Sequence, residues 1–304
     1  MEEVKDYQIK ELKKRILISN LKAWIIGIIL IAEIAFFTMY FSKSGMFGEP
    51  VIGDNKVAVI HFDELITEKY TTKVMEKMDK IRKDDSYKEV LFVMGSPGGS
   101  PTASEELSEY LKAYQKDKNV TMYVGSIAAS GGGYYIASAI KPLYANKNAI
   151  VGSIGVIMPH YNIGELAEKI GIEEDNLAAG KYKQPISFFK KVEGEDKKYI
   201  EDHLLLPTYE NFINAVVTNR GLSKARLLPF TEGKIYIANA PEIQGVLVDK
   251  ITSLYQLKKE MRQRLGKKTV KFETINLKDK PSFFPKVEVD MGVEKLLNQL
   301  SFRQ

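Results

Sequence analysis

The chain has 304 residues, enough to bury a sizeable hydrophobic core in one large domain or two modest ones. Its net charge of +5 is the small difference between 44 basic and 39 acidic residues, which gives no support for nucleic-acid binding. The absence of cysteine excludes disulfides, a thiol nucleophile and zinc sites with cysteine ligands. His61, His160 and His203 are too scattered to predict a metal cluster, so we expect no metal and no cofactor.

The first predicted element is an apolar segment at residues 23–41, in which Glu33 is the one charged residue. As a helix it would be about 28 Å long, close to the hydrocarbon thickness of a bilayer, about 30 Å. Trp24 and Tyr40 lie near its two ends, where aromatic rings favour the membrane interface. The segment therefore predicts a transmembrane helix. We expect Glu33 to be protonated or tolerated there, the alternative being a polar contact between anchor helices of an oligomer.

The residues before this segment predict its orientation. They are rich in lysine and arginine, which stay on the cytoplasmic side of a membrane; the basic positions are Lys5, Lys10, Lys13, Lys14, Arg15 and Lys22. Residues 1–22 are therefore predicted to be cytoplasmic, and the body of the chain to lie outside the cytoplasmic membrane. An uncleaved signal anchor is favoured over a cleaved signal peptide, because the apolar run is long and no A-x-A cleavage site follows it.

The domain organisation follows from the composition. Residues 42–55 contain Gly, Pro and Ser and are predicted to be a linker, and residues 56–304 to be an extracytoplasmic domain with a C-terminal extension. In that domain, apolar runs alternate with segments of helical periodicity. Strands are predicted at 56–62, 89–94 and 119–124, and helices at 71–84, 102–117 and 132–140. Strand, glycine turn and helix recur at roughly 30-residue spacing, which predicts an α/β fold of βαβ units with a mainly parallel sheet.

Later segments continue the alternation. The sequence predicts a strand and a helix between residues 149 and 172, and a loop or extended piece around 176–184. A helical stretch follows from about Lys191 to Arg226, with Pro207 at a helix start or a kink. A strand–helix–strand unit is predicted at 233–251, and the tail is predicted to contain an edge strand, a proline-broken loop and a terminal helix.

Two glycine turns follow adjacent predicted strands, GSPGGS at 95–100 and AASGGG at 128–133. Sites in open parallel sheets form at the carboxyl ends of strands, where free N–H groups at helix starts stabilise negative charge. One turn could supply such donors while the other presents Ser130 as a nucleophile for acyl transfer. The alternative is that both turns are merely tight connections. Phosphate-binding glycine motifs are absent, and G-x-S-x-G also fails because Ala128 replaces its first glycine.

A serine nucleophile needs a base, and the residues alone leave its identity open. His160 and His203 lie in no recognisable catalytic setting, and His61 falls inside a predicted strand. A lysine whose pKa is lowered by burial is the other known solution. Lys181 and Lys183, in AAGKYKQP at 178–185, follow a small-residue turn, although solvated lysines would be the simpler explanation of this pattern.

Taken together, the motifs resemble the signal peptide peptidase A (protease IV) family of serine peptidases, which shares the fold of ClpP and the crotonases. The match runs in order over about residues 56–265, and its specificity comes from the order of several weak motifs. They are SPGGS with ASEEL, GSIAASGG, GSIGVIM, AAGKYK, NRGLS and GKIYIANAPEIQGVLVD.

The resemblance implies roles for individual residues. Ser130 would be the nucleophile and Lys183, three residues after a glycine, the general base, with Lys181 as its nearby competitor. Gly98, Gly99 and the N–H of Gly131 would be oxyanion-hole candidates. The family further implies membrane-bound cleavage of hydrophobic peptides, including residual signal peptides, and a homo-oligomeric ring in which neighbouring protomers build each Ser–Lys dyad.

The sequence departs from the family pattern at three places. Gly95 stands where the family usually has Asn, and Gln184 where Asp often follows the lysine. SGGGYY also holds one glycine more than the usual SGGYY. Matched from the left, this run makes Ser130 the nucleophile; matched from the right, Gly131 would take that position. We favour the left match because it is longer.

Two other functions remain open from the sequence. The departures are also compatible with a catalytically inactive scaffold of the same fold that binds peptides or partners at the membrane. Crotonase-like acyl-CoA chemistry fits the fold, but CoA thioesters are cytoplasmic and the domain is predicted to be exported.

Overall fold

The computed structural model describes residues 2–43, 55–266 and 270–277. It divides into two compact units, Met1–Ile52 and Gly53–Gln304. In the first unit, helix α1 (Glu2–Lys43) runs without interruption. Its segment Lys13–Met39 is long and apolar enough, by length and composition, to cross a membrane. The predicted helix at 23–41 is thus part of a longer one.

Some sequence predictions fall outside the described residues. They concern the side chain of Tyr40, most of the linker at 42–55, and the loop and terminal helix of the tail beyond residue 277.

In the second unit, strands and helices alternate along the chain. The strands are β1 (Lys56–Phe62), β2 (Tyr87–Met94), β3 (Asn119–Val124), β4 (Ile127–Ala128), β5 (Leu143–Ala145), β6 (Ile150–Gly152), β7 (Ile235–Ile237), β8 (Lys250–Ile251) and β9 (Lys271–Thr274). The helices are α2 (Glu68–Arg82), α3 (Pro101–Tyr114), α4 (Ser130–Ser138), α5 (Gly164–Lys169), α6 (Gly194–Ile200), α7 (Leu206–Arg220), α8 (Lys224–Leu227) and α9 (Leu254–Arg264).

Six of these strands form one sheet in the order β8-β5-β3-β2-β1-β9, and every neighbouring pair in it is parallel. β4, β6 and β7 form a smaller sheet in which β7 runs antiparallel to β6. The α/β fold with a mainly parallel sheet is therefore confirmed. β9 lies at the edge of the large sheet, as predicted for the tail.

The continuous apolar runs of the strands reflect burial on both faces of the large sheet. In β1, Ala58 and Ile60 belong to the main core, which also contains residues of α2, α3, α4 and α7. Val57 and Val59 face the opposite side, where Leu257 and Met261 of α9 cover the sheet. Parallel strands covered by helices on both faces need apolar residues at successive positions, so they show no polar alternation.

The register of the sheet brings the two glycine turns together. Met94 at the end of β2 pairs with Val124 at the end of β3, so these two parallel strands finish at the same level. The segments that follow these strands therefore begin side by side at the carboxyl ends of the strands. They are residues 95–100, which form the first glycine turn, and residues 125–129, which lead into the second. The first turn ends at Ser100, whose hydroxyl accepts a hydrogen bond from the Ala103 N–H and caps α3.

The predicted helical stretch from Lys191 to Arg226 is present but divided. A π-helical turn at Glu201–Leu205 separates α6 from α7, and Pro207 lies in the first turn of α7. Because the residues before Pro207 are already helical, its missing N–H interrupts the helical hydrogen bonding, and the interruption lies directly after the π-helical turn. α7 ends at Gly221, whose φ of 62° is the left-handed conformation that terminates helices.

A buried ion pair fixes the end of α7 to the large sheet. The Arg220 side chain is 1% exposed, and its guanidinium donates to both carboxylate oxygens of Asp249 at 2.8 Å. Its Nε also donates to the Val246 carbonyl, and Asp249 accepts from the N–H of Leu143 in β5. Burial alone would raise the pKa of Asp249, but the hydrogen bonds from Arg220 and Leu143 outweigh burial and lower it.

Replacing Asp249 tests this interaction. Asp249→Asn leaves the buried guanidinium without its counter-charge, and we expect the free energy of unfolding to fall by about 3 kcal/mol. Because the folded pKa lies below the unfolded value of about 3.9, the stabilisation is present above that pH and is lost as pH falls through the folded pKa. Urea unfolding of the detergent-solubilised chain, followed by circular dichroism, measures both effects.

The matched control is Glu210→Gln, which breaks an exposed pair with Lys224 and should change stability by less than about 0.5 kcal/mol. Equal stability of the two variants would contradict the importance of the Arg220–Asp249 pair.

Candidate active site

Ser130 is the first residue of α4 and occupies an unusual backbone conformation, with a φ of 62°. For a residue other than glycine this conformation costs about 1–3 kcal/mol, and it persists only where the surroundings enforce it. The surroundings here are the other glycine turn. A Cβ atom added to Gly98 would lie 2.8 Å from the Ser130 Cβ and 3.0 Å from its Oγ, so the serine side chain rests against the Gly98 backbone.

The glycines around Ser130 fall into two groups. A Cβ on Gly99 would lie 2.2 Å from the Ile66 carbonyl oxygen, and a Cβ on Gly133 would lie 2.5 Å from the Ser96 carbonyl oxygen. Gly132 is confined less rigidly, by the side-chain ends of Ile66 and Ser104, with the Gly99 backbone nitrogen 3.0 Å from an added Cβ. Backbone approaches this close exclude any side chain.

Gly131 differs from its neighbours in the SGGGYY run. The nearest atom to an added Cβ there is the Gly155 carbonyl oxygen at 3.6 Å, an ordinary van der Waals distance. The chain therefore has room at Gly131 that it lacks at Gly132 and Gly133.

The predicted oxyanion donors are not equivalent. The Gly98 N–H donates to the hydroxyl of buried Ser96 at 3.2 Å, and that hydroxyl in turn donates to the Glu64 carbonyl at 2.6 Å. Gly131 lies in the first turn of α4, where N–H groups have no helical acceptor, and no side chain caps this helix. Within the described residues, the N–H groups of Gly99 and Gly131 donate to no acceptor. These two remain free for a ligand oxygen.

A cavity of about 470 Å³ opens beside Ser130. Most of its wall is apolar and comes from the segment after β6 and from the start of α7. The lining includes Ser130, Ser153, Val156, Ile157, Leu205, Leu206, Tyr209, Thr231 and Glu232. The Tyr209 hydroxyl donates to Thr231, which fixes this side of the wall. A cavity of this size and lining suits an apolar side chain next to a reacting carbonyl.

Ser153 is a cavity residue that the sequence reasoning missed. It follows β6, has a φ of 52°, and donates its backbone N–H to the Lys234 carbonyl at 2.7 Å. The sequence does contain a pattern that indicates Ser153, because this residue lies between Gly152 and Gly155 directly after an apolar run. The same pattern indicated Ser130.

The described residues of a single chain do not bring the predicted base to Ser130. Lys183 is exposed and lies in an irregular segment, where its N–H donates to the Gly180 carbonyl at 3.1 Å in a tight turn. Its side chain forms no hydrogen bond or ion pair with any residue of the described ranges. Lys181 is different, because its hydrogen bond to Glu195 raises its pKa and keeps the ammonium charged. A general base must be neutral, so this contact disfavours Lys181.

The histidines do not offer an alternative base. His61 is exposed in β1, the His160 ring lies 2.8 Å from the Ser187 carbonyl, and the His203 ring packs against Tyr199. None of them lines the cavity beside Ser130. Among the side chains that the structure describes, no group of three acidic or histidine residues could hold a metal ion.

The chain is similar to one protein-family model and to several proteins with protease names. The family model of peptidase family S49 matches residues 112–268, a range that contains Ser130, Gly131 and Lys183. A Methanocaldococcus jannaschii protein with a protease name is 37% identical over 186 residues, which are 61% of this chain and 59% of that protein. An Enterococcus faecium protein with the name signal peptide peptidase SppA is 30% identical over 193 residues, or 62% of this chain and 55% of that protein.

Protease 4 of Haemophilus influenzae is 28% identical over 225 residues, which are 70% of this chain and 35% of that protein. The chain thus spans less than two thirds of the length of each of these three relatives.

The glycine contacts yield a stability prediction. Gly133→Ala forces a methyl group against the Ser96 carbonyl, and we expect the free energy of unfolding to fall by about 1–3 kcal/mol. Gly131→Ala places its methyl group at an ordinary van der Waals distance from the Gly155 carbonyl oxygen, and should leave stability unchanged or slightly raised. Urea unfolding of both variants measures the difference. Equal stabilities would show that the two turns are not packed as closely as described.

Proposed function

The chain belongs to peptidase family S49, and from this premise we propose that it is a membrane-anchored serine endopeptidase with a Ser130–Lys183 dyad. Its substrates would be hydrophobic peptides, such as signal peptides that remain after export. The observation that carries the proposal is the position of Ser130, which lies at a helix start, beside free backbone N–H groups and at the wall of an apolar cavity.

The proposed reaction is acyl transfer. The neutral amine of Lys183 removes the proton from the Ser130 hydroxyl as its oxygen attacks a peptide carbonyl. The N–H groups of Gly99 and Gly131 stabilise the oxyanion that develops. The C–N bond breaks, the leaving amine takes the proton from the lysine, and water then hydrolyses the acyl-enzyme ester with Lys183 again as base.

Burial favours the neutral form of a lysine, so the proposal requires Lys183 to be covered in the working enzyme. The surface of the chain supports a neighbouring protomer as the cover. Between β6 and α6 the chain exposes an unusual number of large apolar side chains, among them Leu177, which is 98% exposed. They are Ile157, Met158, Tyr161, Ile163, Leu166, Ile170, Ile172, Leu177, Tyr182 and Phe188.

Clusters of exposed apolar side chains are typical of surfaces that bind another protein or a membrane. We therefore include a homo-oligomeric ring in the proposal, in which this segment of one protomer packs on the next and brings Lys183 to its Ser130. Each dyad would then be shared between two chains.

The anchor completes the proposal. The apolar segment of α1 has basic residues before it, which supports a cytoplasmic N-terminus and an extracytoplasmic peptidase domain. Such a position would bring the domain to apolar peptides released at the membrane, and the apolar lining of the Ser130 cavity fits their side chains.

Two substitutions test the dyad. Ser130→Ala and Lys183→Ala should each reduce hydrolysis of an apolar fluorogenic peptide in detergent by at least about 10³-fold, because the two groups act as one unit. Lys181→Ala is the control, and it should keep near wild-type activity. Circular dichroism and size-exclusion chromatography check that all three variants fold and assemble alike.

A fluorophosphonate probe provides a second measurement. It should label Ser130 in the wild-type protein and in Lys181→Ala, but not in Ser130→Ala. Peptide cleavage that persists in both Ser130→Ala and Lys183→Ala would contradict the proposal. A wild-type protein that neither cleaves peptides nor reacts with the probe would instead support the inactive scaffold.

A further inference from the structure

The segment that carries Lys183 has little hydrophobic core of its own. Every residue from Gly171 to Lys183 is exposed, and Ser187 is the first buried residue after them. Burial of apolar side chains therefore does not fix the conformation of this segment within one chain. Its polar contacts do so, together with the stacking of the Tyr182 ring on the Tyr199 ring.

A single carboxylate joins the two sides of the segment. Glu174, before the Lys183 turn, accepts a hydrogen bond from the Gln184 amide at 2.9 Å and another from the Ser187 hydroxyl. Gln184 also accepts from the Asn176 amide at 2.6 Å. These hydrogen bonds join residues before and after Lys183, and so close a loop that contains it. We call Glu174, Asn176, Gln184 and Ser187 the Glu174 network.

The network is tied to the rest of the domain through Ser187. This residue is 5% exposed, its hydroxyl accepts from the Phe189 N–H at 3.1 Å, and its carbonyl lies 2.8 Å from the His160 ring. The next carbonyl, of Phe188, accepts from the Ile163 N–H at the start of α5. On the far side, Lys190 donates to the Gln184 carbonyl and pairs with Asp196 of α6. The loop thus has a fixed base and an exposed tip.

Gln184 fits this network in a way that an aspartate could not. A glutamine amide donates and accepts at once, so Gln184 can donate to Glu174 while it accepts from Asn176. An ionised aspartate only accepts, and would face the Glu174 carboxylate as a like charge. The residue that departs from the family pattern is therefore the one that the neighbouring carboxylate requires.

We propose that Glu174 is a positioning residue: through Gln184 and Ser187 it holds the turn from which Lys183 is presented to the nucleophile. The catalytic half of this inference rests on the proposed function, whereas the structural half concerns the loop alone. The two halves call for separate readouts.

The structural readout is limited proteolysis of the full chain in detergent. If the Glu174 network holds the loop closed, we expect trypsin to cleave after Lys181 and Lys183 mainly from the open form, so the cleavage rate follows its population. Glu174→Ala removes both acceptors, and we expect cleavage at these two bonds to be at least about tenfold faster. Glu173→Ala is the matched control: the neighbouring carboxylate forms no contact in the described structure, and its loss should leave the rate unchanged.

Two further variants refine the structural test. Glu174→Gln keeps one carbonyl acceptor and should give an intermediate cleavage rate. Gln184→Asp sets two carboxylates against each other and should resemble Glu174→Ala. Circular dichroism confirms that the fold is retained.

The catalytic readout is the kinetics of peptide hydrolysis. Because the cavity beside Ser130 is untouched, Glu174→Ala should lower kcat by about tenfold or more and change KM by less than about twofold. Glu174→Gln should restore part of kcat, and Glu173→Ala should behave as wild type.

The outcomes separate this inference from the proposed function. Unchanged tryptic cleavage in Glu174→Ala overturns the inference whatever the activity. Faster cleavage with an unchanged kcat also overturns it, because the loop would then not position the base. If the wild-type protein itself is inactive, the catalytic half fails together with the proposed function, while the cleavage rates still decide whether the Glu174 network holds the loop.

Discussion

The backbone of the 95–100 turn packs directly against the start of α4, and the candidate site is built around this contact. The level ends of β2 and β3 bring the two turns together, and the absence of side chains at Gly98, Gly132 and Gly133 lets them approach closely. Gly99 in turn lets the first of them pack against the Ile66 backbone. Three properties follow from this packing. Ser130 is held with a positive φ, its side chain lies against the other turn, and the N–H groups of Gly99 and Gly131 donate to no acceptor in the part of the chain that the structure describes. A helix start with free donors is suited to an oxyanion.

The segment that carries Lys183, the other half of the candidate site, is stabilised by different interactions. The turns near Ser130 belong to a core in which strands are buried on both faces. The segment with Lys183 has almost no core, and hydrogen bonds to the Glu174 carboxylate connect its two sides. Such a segment can be well ordered at its base and still present its apolar surface to a partner. This division explains why a nucleophile and a base could come from different chains.

Much of the central fold could be predicted from the sequence, because burial leaves a direct record in the residue pattern. β1, β2 and β3 are short apolar runs, and α2 and α3 show the helical period of the face they bury. The small-residue run around Ser130 likewise records close backbone packing. In each case the residues that determine the local structure are close together in the sequence.

Other features depend on contacts between distant parts of the chain, and local patterns do not record these. The cavity wall at Leu205, Leu206 and Tyr209 reaches Ser130 from about 75 residues further along. The engagement of the Gly98 N–H by Ser96 depends on a hydroxyl orientation that spacing does not specify. Gln184 departs from the family pattern, and the local sequence does not reveal the hydrogen bond that its amide donates to Glu174. The roles of Ser130 and Lys183 themselves stay predictions.

The central claim is that Ser130 of one protomer works with Lys183 of its neighbour, and co-assembly of two inactive chains tests it most directly. Ser130→Ala and Lys183→Ala chains, carrying different affinity tags, are co-expressed and the assemblies containing both are purified. If dyads form between neighbours in a ring, random mixing restores the pairing at some interfaces, and we predict about a quarter of wild-type peptidase activity. Doubly tagged assemblies that remain as inactive as either variant alone would contradict the claim.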